Sequence, residues 1–215
     1  MHSGRGVFRR ELYGMESVRW VRKAPGHWAG RDSQLTSAHN RPDSETSMHS
    51  DSDLSRLAAE LAGELRARQH RLVTAESCTG GWVAKVLTEI PGSSAWYLGG
   101  VVSYSNALKS SLLGVQSGTL AAHGAVSAET AREMATGAVT RLDATCALSV
   151  TGIAGPEGGT VEKPVGLVWF GWAIEQGGQL LTRVAQEHFA GDRDLVRRHA
   201  VARALQGMVE LASNG

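Results

Sequence analysis

One stretch constrains this chain more than any other: Leu72-Val73-Thr74-Ala75-Glu76-Ser77-Cys78-Thr79-Gly80-Gly81, followed directly by Trp82-Val83-Ala84-Lys85-Val86-Leu87. A β-prone run ends in small polar residues, and a helix-compatible segment starts at once, so the pattern predicts strand, tight turn, helix. Such a turn lifts Ser77 and Thr79 above the end of a strand. It also leaves unpaired N–H groups at the helix start, where an anion or a developing oxyanion is the expected guest.

The flanking sequence repeats the theme. Leu54, Leu57, Ala58, Leu61, Ala62 and Leu65 form one apolar stripe at helical spacing, with Ser52 or Asp53 as the expected cap. Residues 71–76 form the first strand, and a helix over about 79–90 stops at Pro91-Gly92. Residues 96–104 read as a second strand whose glycine pair marks a bulge or a close approach. A short helix follows, capped by Ser105 or Asn106 and closed by Gly114, with Lys109 one turn inside it.

Ser127 caps a further helix with Ala131, Met134, Ala135, Ala138 and Leu142 on its inner face. Residues 147–151 read as a buried strand, and the glycine-rich loop 152–159 allows close approach of a ligand. Gly166–Ile174 and Leu180–Phe189 pair through the turn Gln176-Gly177-Gly178-Gln179. Asp192 caps the last helix, which turns Leu195, Ala202, Leu205, Met208, Val209 and Ala212 inward. This alternation predicts an α/β domain: a three-layer α/β/α sandwich with a mixed, mostly parallel sheet over residues 51–215. Residues 1–50 are polar and without period, and are expected to be disordered or untranslated, with Trp20 and Trp28 as stray aromatics. Met48 reads as the true start, and an intact mass that includes residues 1–47 would refute this.

Composition excludes several classes. A net charge of +1 gives no electrostatic reason to expect nucleic acid or an acidic membrane as partner. Two cysteines, Cys78 and Cys146, are too few for a disulfide framework and fit a cytoplasmic setting. The eight histidines are not spaced as metal ligands, and no metal or cofactor is expected. The aromatic strand at 165–175 is a candidate homodimer interface.

Three loops leave predicted strand ends, at 76–81, 103–109 and 151–160. In an open α/β sheet they meet beyond the carboxyl ends of parallel strands, which gathers Ser77, Thr79, Ser103, Tyr104, Lys109 and Thr151. A nucleophilic serine needs a base, and no histidine has a motif around it. A lysine is protonated at neutral pH at its ordinary pKa of about 10.4, so Lys109 serves only if burial lowers that value. Tyr104 could relay a proton or orient the lysine. On residue pattern alone, a turn serine, a solvated lysine and surface arginines at 193 and 197 explain the same positions. The residues themselves therefore reach only a polar, glycine-lined crevice that accepts an anion.

At this point the sequence resembles the CinA C-terminal domain family. The resemblance rests on Thr74-Ala75-Glu76-Ser77-Cys78-Thr79-Gly80-Gly81, Pro91-Gly92-Ser93-Ser94, Ser103-Tyr104-Ser105-Asn106 with Lys109, His123-Gly124-Ala125-Val126-Ser127, Thr151-Gly152-Ile153-Ala154-Gly155-Pro156, Lys163-Pro164-Val165-Gly166 and Gly191-Asp192-Arg193. It covers about residues 52–213. The resemblance implies an amidohydrolase that converts nicotinamide mononucleotide and water to nicotinic acid mononucleotide and ammonia, without cofactor. Ser77 would be the nucleophile and Lys109 its base, with Tyr104 and Ser94 in support. Thr79, Gly80, Thr151, Gly152, Gly155 and Arg193 would bind substrate. Two rivals are carried forward. One is a non-catalytic nucleotide-binding or regulatory domain linked to competence or DNA damage. The other is a metal-dependent pyrophosphatase, which the chain's lack of a carboxylate cluster disfavours.

Overall fold

The computed structural model describes residues 49–213. The readings made for the tail before His49, including Trp20, Trp28 and the start at Met48, lie outside the described residues. The elements are α1 (Asp51–Ala67), β1 (Leu72–Glu76), α2 (Trp82–Thr88), β2 (Tyr97–Val102), α3 (Asn106–Leu113), α4 (Ser117–His123), α5 (Ala128–Arg141), β3 (Cys146–Gly152), β4 (Leu167–Gln176), β5 (Gln179–His188) and α6 (Arg193–Ser213). The five strands form one sheet in the order β2-β1-β3-β4-β5. β2, β1 and β3 run parallel, and β4 and β5 complete the sheet antiparallel.

The two sheet faces are covered separately, which gives three layers. Leu72, Leu148, Val150, Phe170 and Trp172 pack with α1, α2 and α6. Val73, Ala75, Ala147 and Ala173 face the other way, against Leu113, Met134, Ala135 and Ala138. β1 is buried along its whole length, as expected of a central parallel strand clothed by helices. The six α1 residues of the apolar stripe are the six that are buried.

α6 crosses close over the sheet because Gly207 has no side chain. A Cβ there would lie 2.1 Å from the Trp172 ring, whose Nε1 donates to the Ala204 carbonyl at 2.9 Å. Among the described residues no helix is long and apolar enough to cross a membrane.

Several local expectations need correction. The α1 cap is Ser50, not Ser52 or Asp53. Its hydroxyl accepts the Asp53 N–H while the Asp53 carboxylate accepts the Ser50 N–H, a reciprocal capping box. Ser50 therefore belongs to the folded domain rather than to the tail. α2 starts at Trp82, because Gly80 and Gly81 both have positive φ and hold the turn open for three more residues. An additional helix, α4, fills the segment between Gly114 and Gly124. Leu142 is the exposed C-cap of α5, and Leu195 and Val209 are only half-buried. The glycine pair in β2 satisfies both readings at once. The register slips by one residue at Leu98, and a Cβ on Gly100 would meet Thr74 Oγ1 at 2.2 Å. β4 lies between β3 and β5, and the Phe170 and Trp172 rings stack 5.7 Å apart with no exposure. Phe170 and Trp172 of that strand thus belong to the core.

Candidate active site

β1 ends at Glu76, and the next residue, Ser77, begins the turn. The Ser77 N–H still donates to Val150 of the neighbouring β3 at 3.0 Å, so the residue leaves the sheet in a fixed direction. Its backbone carbonyl accepts the Gly80 N–H at 3.1 Å, which closes the turn. Glu76 itself is 1% exposed and folds back under α2. Its carboxylate accepts the N–H groups of Gly81 (2.9 Å), Val83 (3.2 Å) and Ala84 (2.9 Å). An internal carboxylate therefore occupies the positive end of α2. The expectation that these amides face a bound anion is not met.

β2 lies beside β1 and leads into the helix that carries Lys109. The Ser103 N–H donates to the Glu76 carbonyl at 2.8 Å and pins the exit of β2 to the exit of β1. Ser105 then caps α3 through the Leu108 N–H, and Lys109 points back toward the turn. Lys109 is 1% exposed. Its Nζ lies 3.0 Å from Ser77 Oγ and 2.6 Å from the Ser103 carbonyl. Burial drives the Lys109 pKa below the ordinary lysine value, since desolvation penalises the charged amine. No ion pair holds Lys109 among the described residues.

These two side chains form the floor of a cleft of about 250 Å³, also lined by Cys78, Tyr104, Gly152 to Gly155, Glu157 and Arg193. A larger cavity of about 530 Å³ lies beside the same turn, against Gly80, Trp82 and Arg197, but it contains neither Ser77 nor Lys109. The candidate site is therefore the smaller one. Cys78, next in sequence to the serine, is no competing nucleophile: burial pushes its thiol pKa up to about 12. His123 stands opposite Glu129, and His188 bonds the Val165 backbone, so neither reaches the serine.

The remaining sequence candidates divide. Arg193 lies at the rim, donating to the Gly155 carbonyl at 2.7 Å and to the Tyr104 hydroxyl at 3.3 Å. Tyr104 is thus held by the arginine rather than by the lysine it was expected to orient. Gly152 and Gly155 line the cleft. Thr151 sits beneath it with its hydroxyl already donating to Ala125 at 2.7 Å, which makes it a support of the wall. Thr79 is fully buried within the turn, and its hydroxyl has no partner. Gly80 faces the larger cavity, away from the dyad. Ser94 is not brought to the site. It lies in the short 3-10 turn Ser93–Ala95 before β2 begins, exposed at the opposite end of the sheet from Ser77.

Three participants escaped the sequence reading. Glu76 was passed over as the end of a strand, although a carboxylate closing an apolar run calls for buried partners. Glu157 was lost in a loop valued for its glycines. Arg197 was taken as a surface charge, although its spacing of four from Arg193 puts both on one face of α6. Among the described residues no group of three or more His, Cys, Asp or Glu side chains is arranged to hold a metal ion.

A buried serine hydroxyl in contact with a buried lysine amine, beside a rim arginine, is a constellation suited to acyl transfer. The comparisons with known proteins agree with that class. The chain is 53% identical over 156 residues to a protein named nicotinamide-nucleotide amidohydrolase PncC from Escherichia coli (strain K12), an alignment covering 73% of this chain and 93% of the relative. The protein of the same name from Pseudomonas putida is 44% identical over 157 residues, covering 73% and 96%. A crystal structure of a competence-damaged protein (CinA) superfamily protein from Escherichia coli superposes with a TM-score of 0.69 at 42% identity, covering 75% of this chain and 92% of that one. The sequence model of the CinA C-terminal domain matches residues 54–212, almost the whole of the described fold, and this chain belongs to that family.

Proposed function

We propose that this protein hydrolyses the carboxamide of nicotinamide mononucleotide, giving nicotinic acid mononucleotide and ammonia, by a serine–lysine mechanism. The observation that carries this reading is the 3.0 Å contact between two buried side chains, Lys109 Nζ and Ser77 Oγ, at the floor of a cleft that fits one small ligand. The names of the relatives supply the substrate.

Neutral Lys109 takes the proton from Ser77 Oγ as that oxygen attacks the carboxamide carbon. The tetrahedral intermediate carries its negative charge on the former carbonyl oxygen. The Lys109 ammonium then protonates the departing NH2 group, the C–N bond breaks, and ammonia leaves an ester on Ser77. Water, deprotonated by Lys109, attacks that ester. Oγ leaves with the proton returned by Lys109, and the nicotinic acid formed gives its proton to solvent and is released as the carboxylate. Arg193 at the rim, which lines the same cleft, meets the phosphate with its guanidinium in this reading. The two cysteines are unpaired and buried, which supports a reducing, cytoplasmic setting.

Purified protein given nicotinamide mononucleotide is expected to release one ammonia per nicotinate nucleotide formed. Tight binding with no ammonia released would instead establish the rival reading of a non-catalytic nucleotide-binding domain.

A further inference from the structure

An acyl-transfer serine needs donors for the oxyanion, and backbone bookkeeping around the turn leaves only two candidates. The Ser77 amide is taken by Val150, that of Gly80 by Ser77, and that of Trp82 by Thr79. Glu76 takes the amides of Gly81, Val83 and Ala84. From Ser77 through Ala84, the amides of Cys78 and Thr79 alone have no acceptor on another described residue, and that of Cys78 has only its own thiol beside it. They belong to the two residues that follow the nucleophile. The Thr79 hydroxyl, fully buried, has no partner either.

What holds that turn from behind is Arg197, from the first turns of α6. Its Nε donates to the Cys78 carbonyl at 3.1 Å and its Nη2 to the Thr79 carbonyl at 2.8 Å. The guanidinium forms no ion pair with a carboxylate among the described residues, and it lies 5.1 Å over the Trp82 ring. Its fork is thus spent on backbone oxygens 118 and 119 residues away in sequence. In a planar trans peptide the C=O and the following N–H point in opposite directions. Tying the Cys78 carbonyl to Arg197 therefore turns the Thr79 N–H away from the Arg197 side. In the same way, the Gly80 N–H on the Ser77 carbonyl turns the Cys78 N–H away from Gly80.

We propose that Arg197 is a positioning residue for the chemistry: by gripping the Cys78 and Thr79 carbonyls it fixes the Thr79 amide, which joins the Cys78 amide set by the Ser77–Gly80 bond as the oxyanion hole of Ser77. The inference rests on the serine-nucleophile reading above and adds a residue that touches neither the substrate nor the dyad. A fork is required because two carbonyls must be held at once, which a point-charge ammonium cannot do.

The test compares wild type with Arg197→Ala, Arg197→Lys and Ser77→Ala, using nicotinamide mononucleotide and, separately, a serine-directed fluorophosphonate whose phosphoryl oxygen fills the same hole. Both Arg197 variants are expected to lose about 10²-fold in kcat with KM changed by less than about threefold. Phosphonylation of Ser77 should slow in parallel, and dilute guanidinium ion should restore part of the lost rate to Arg197→Ala alone. Arg197→Lys keeps the charge and the aliphatic stem, so it decides the matter if Arg197→Ala does not fold. Wild-type kcat in Arg197→Lys, or a kcat loss with unchanged phosphonylation, overturns the proposal. If Ser77→Ala still releases ammonia, the nucleophile assignment falls first. If Ser77→Ala is inert while the Arg197 variants are fully active, only the present inference falls.

Discussion

Ser77→Ala is expected to release no measurable ammonia from nicotinamide mononucleotide while keeping its thermal unfolding midpoint. Where a nucleophile and its base act as a unit, removing the nucleophile costs on the order of 10⁶ in kcat, or about 8 kcal/mol of barrier. The fold should tolerate the change because only one oxygen is lost, and the turn is held by backbone bonds from Ser77 to Val150 and from Gly80 to Ser77. Substrate binding should persist, since Arg193 and the glycine loop are untouched. The double variant Ser77→Ala, Lys109→Ala should be no slower than either single variant, because each already disables the same step. Losses that multiply would show that the two residues act independently. Activity in Ser77→Ala near the wild-type level would remove the covalent route altogether.

The second large effect concerns Lys109 and is read against pH. In the proposed mechanism the working form is the free amine, and burial lowers the Lys109 pKa from the ordinary lysine value. The rate should therefore rise with pH as Lys109 loses its proton, with a midpoint below that of a solvated lysine. A rate flat from about pH 5 to about pH 9 would exclude a lysine base.

The same shift has a stability sign. The native state binds fewer protons at this site than the unfolded chain between the folded pKa and about 10.5. Wild-type stability should thus rise with pH across that window, and the penalty of burying the amine should be fully present only below the folded pKa. Lys109→Met, of similar length and without charge, is expected to abolish turnover and to flatten this part of the stability curve. Denaturant midpoints measured along a pH series would check it. An unchanged slope in Lys109→Met would mean that the lysine is charged in the native state, and the base assignment would fail.

The sequence made the layered fold and the reactive pair legible for identifiable reasons. α1 showed its buried face because six apolar residues recur at one period, and β1 because a short apolar run ends in a polar turn. Ser77 and Lys109 were legible as a pair only because both follow a strand. The sequence cannot show that β2 lies directly beside β1, which is what closes 32 residues of separation to 3.0 Å. The failures share a cause as well. Ser94 sits next to residues of the matching motif, yet the connection runs down the far side of the sheet before β2 returns. Glu76 looked like the last residue of a strand, and its three amide contacts depend on how α2 folds back. Arg197 reaches backbone oxygens, which no side-chain pattern records.

Placing all the chemistry at one pole leaves the other pole without duties. The starts of β1, β2 and β3, the Glu89–Ala95 connection and the Gly177-Gly178 hairpin gather there, braced by contacts such as Arg66 to the Pro91 carbonyl at 3.1 Å. Lengthening those connections would leave the spacing between serine and amine unaltered. The Gly177-Gly178 hairpin at that pole is therefore where an affinity handle or fused module can be attached without trespassing on turnover.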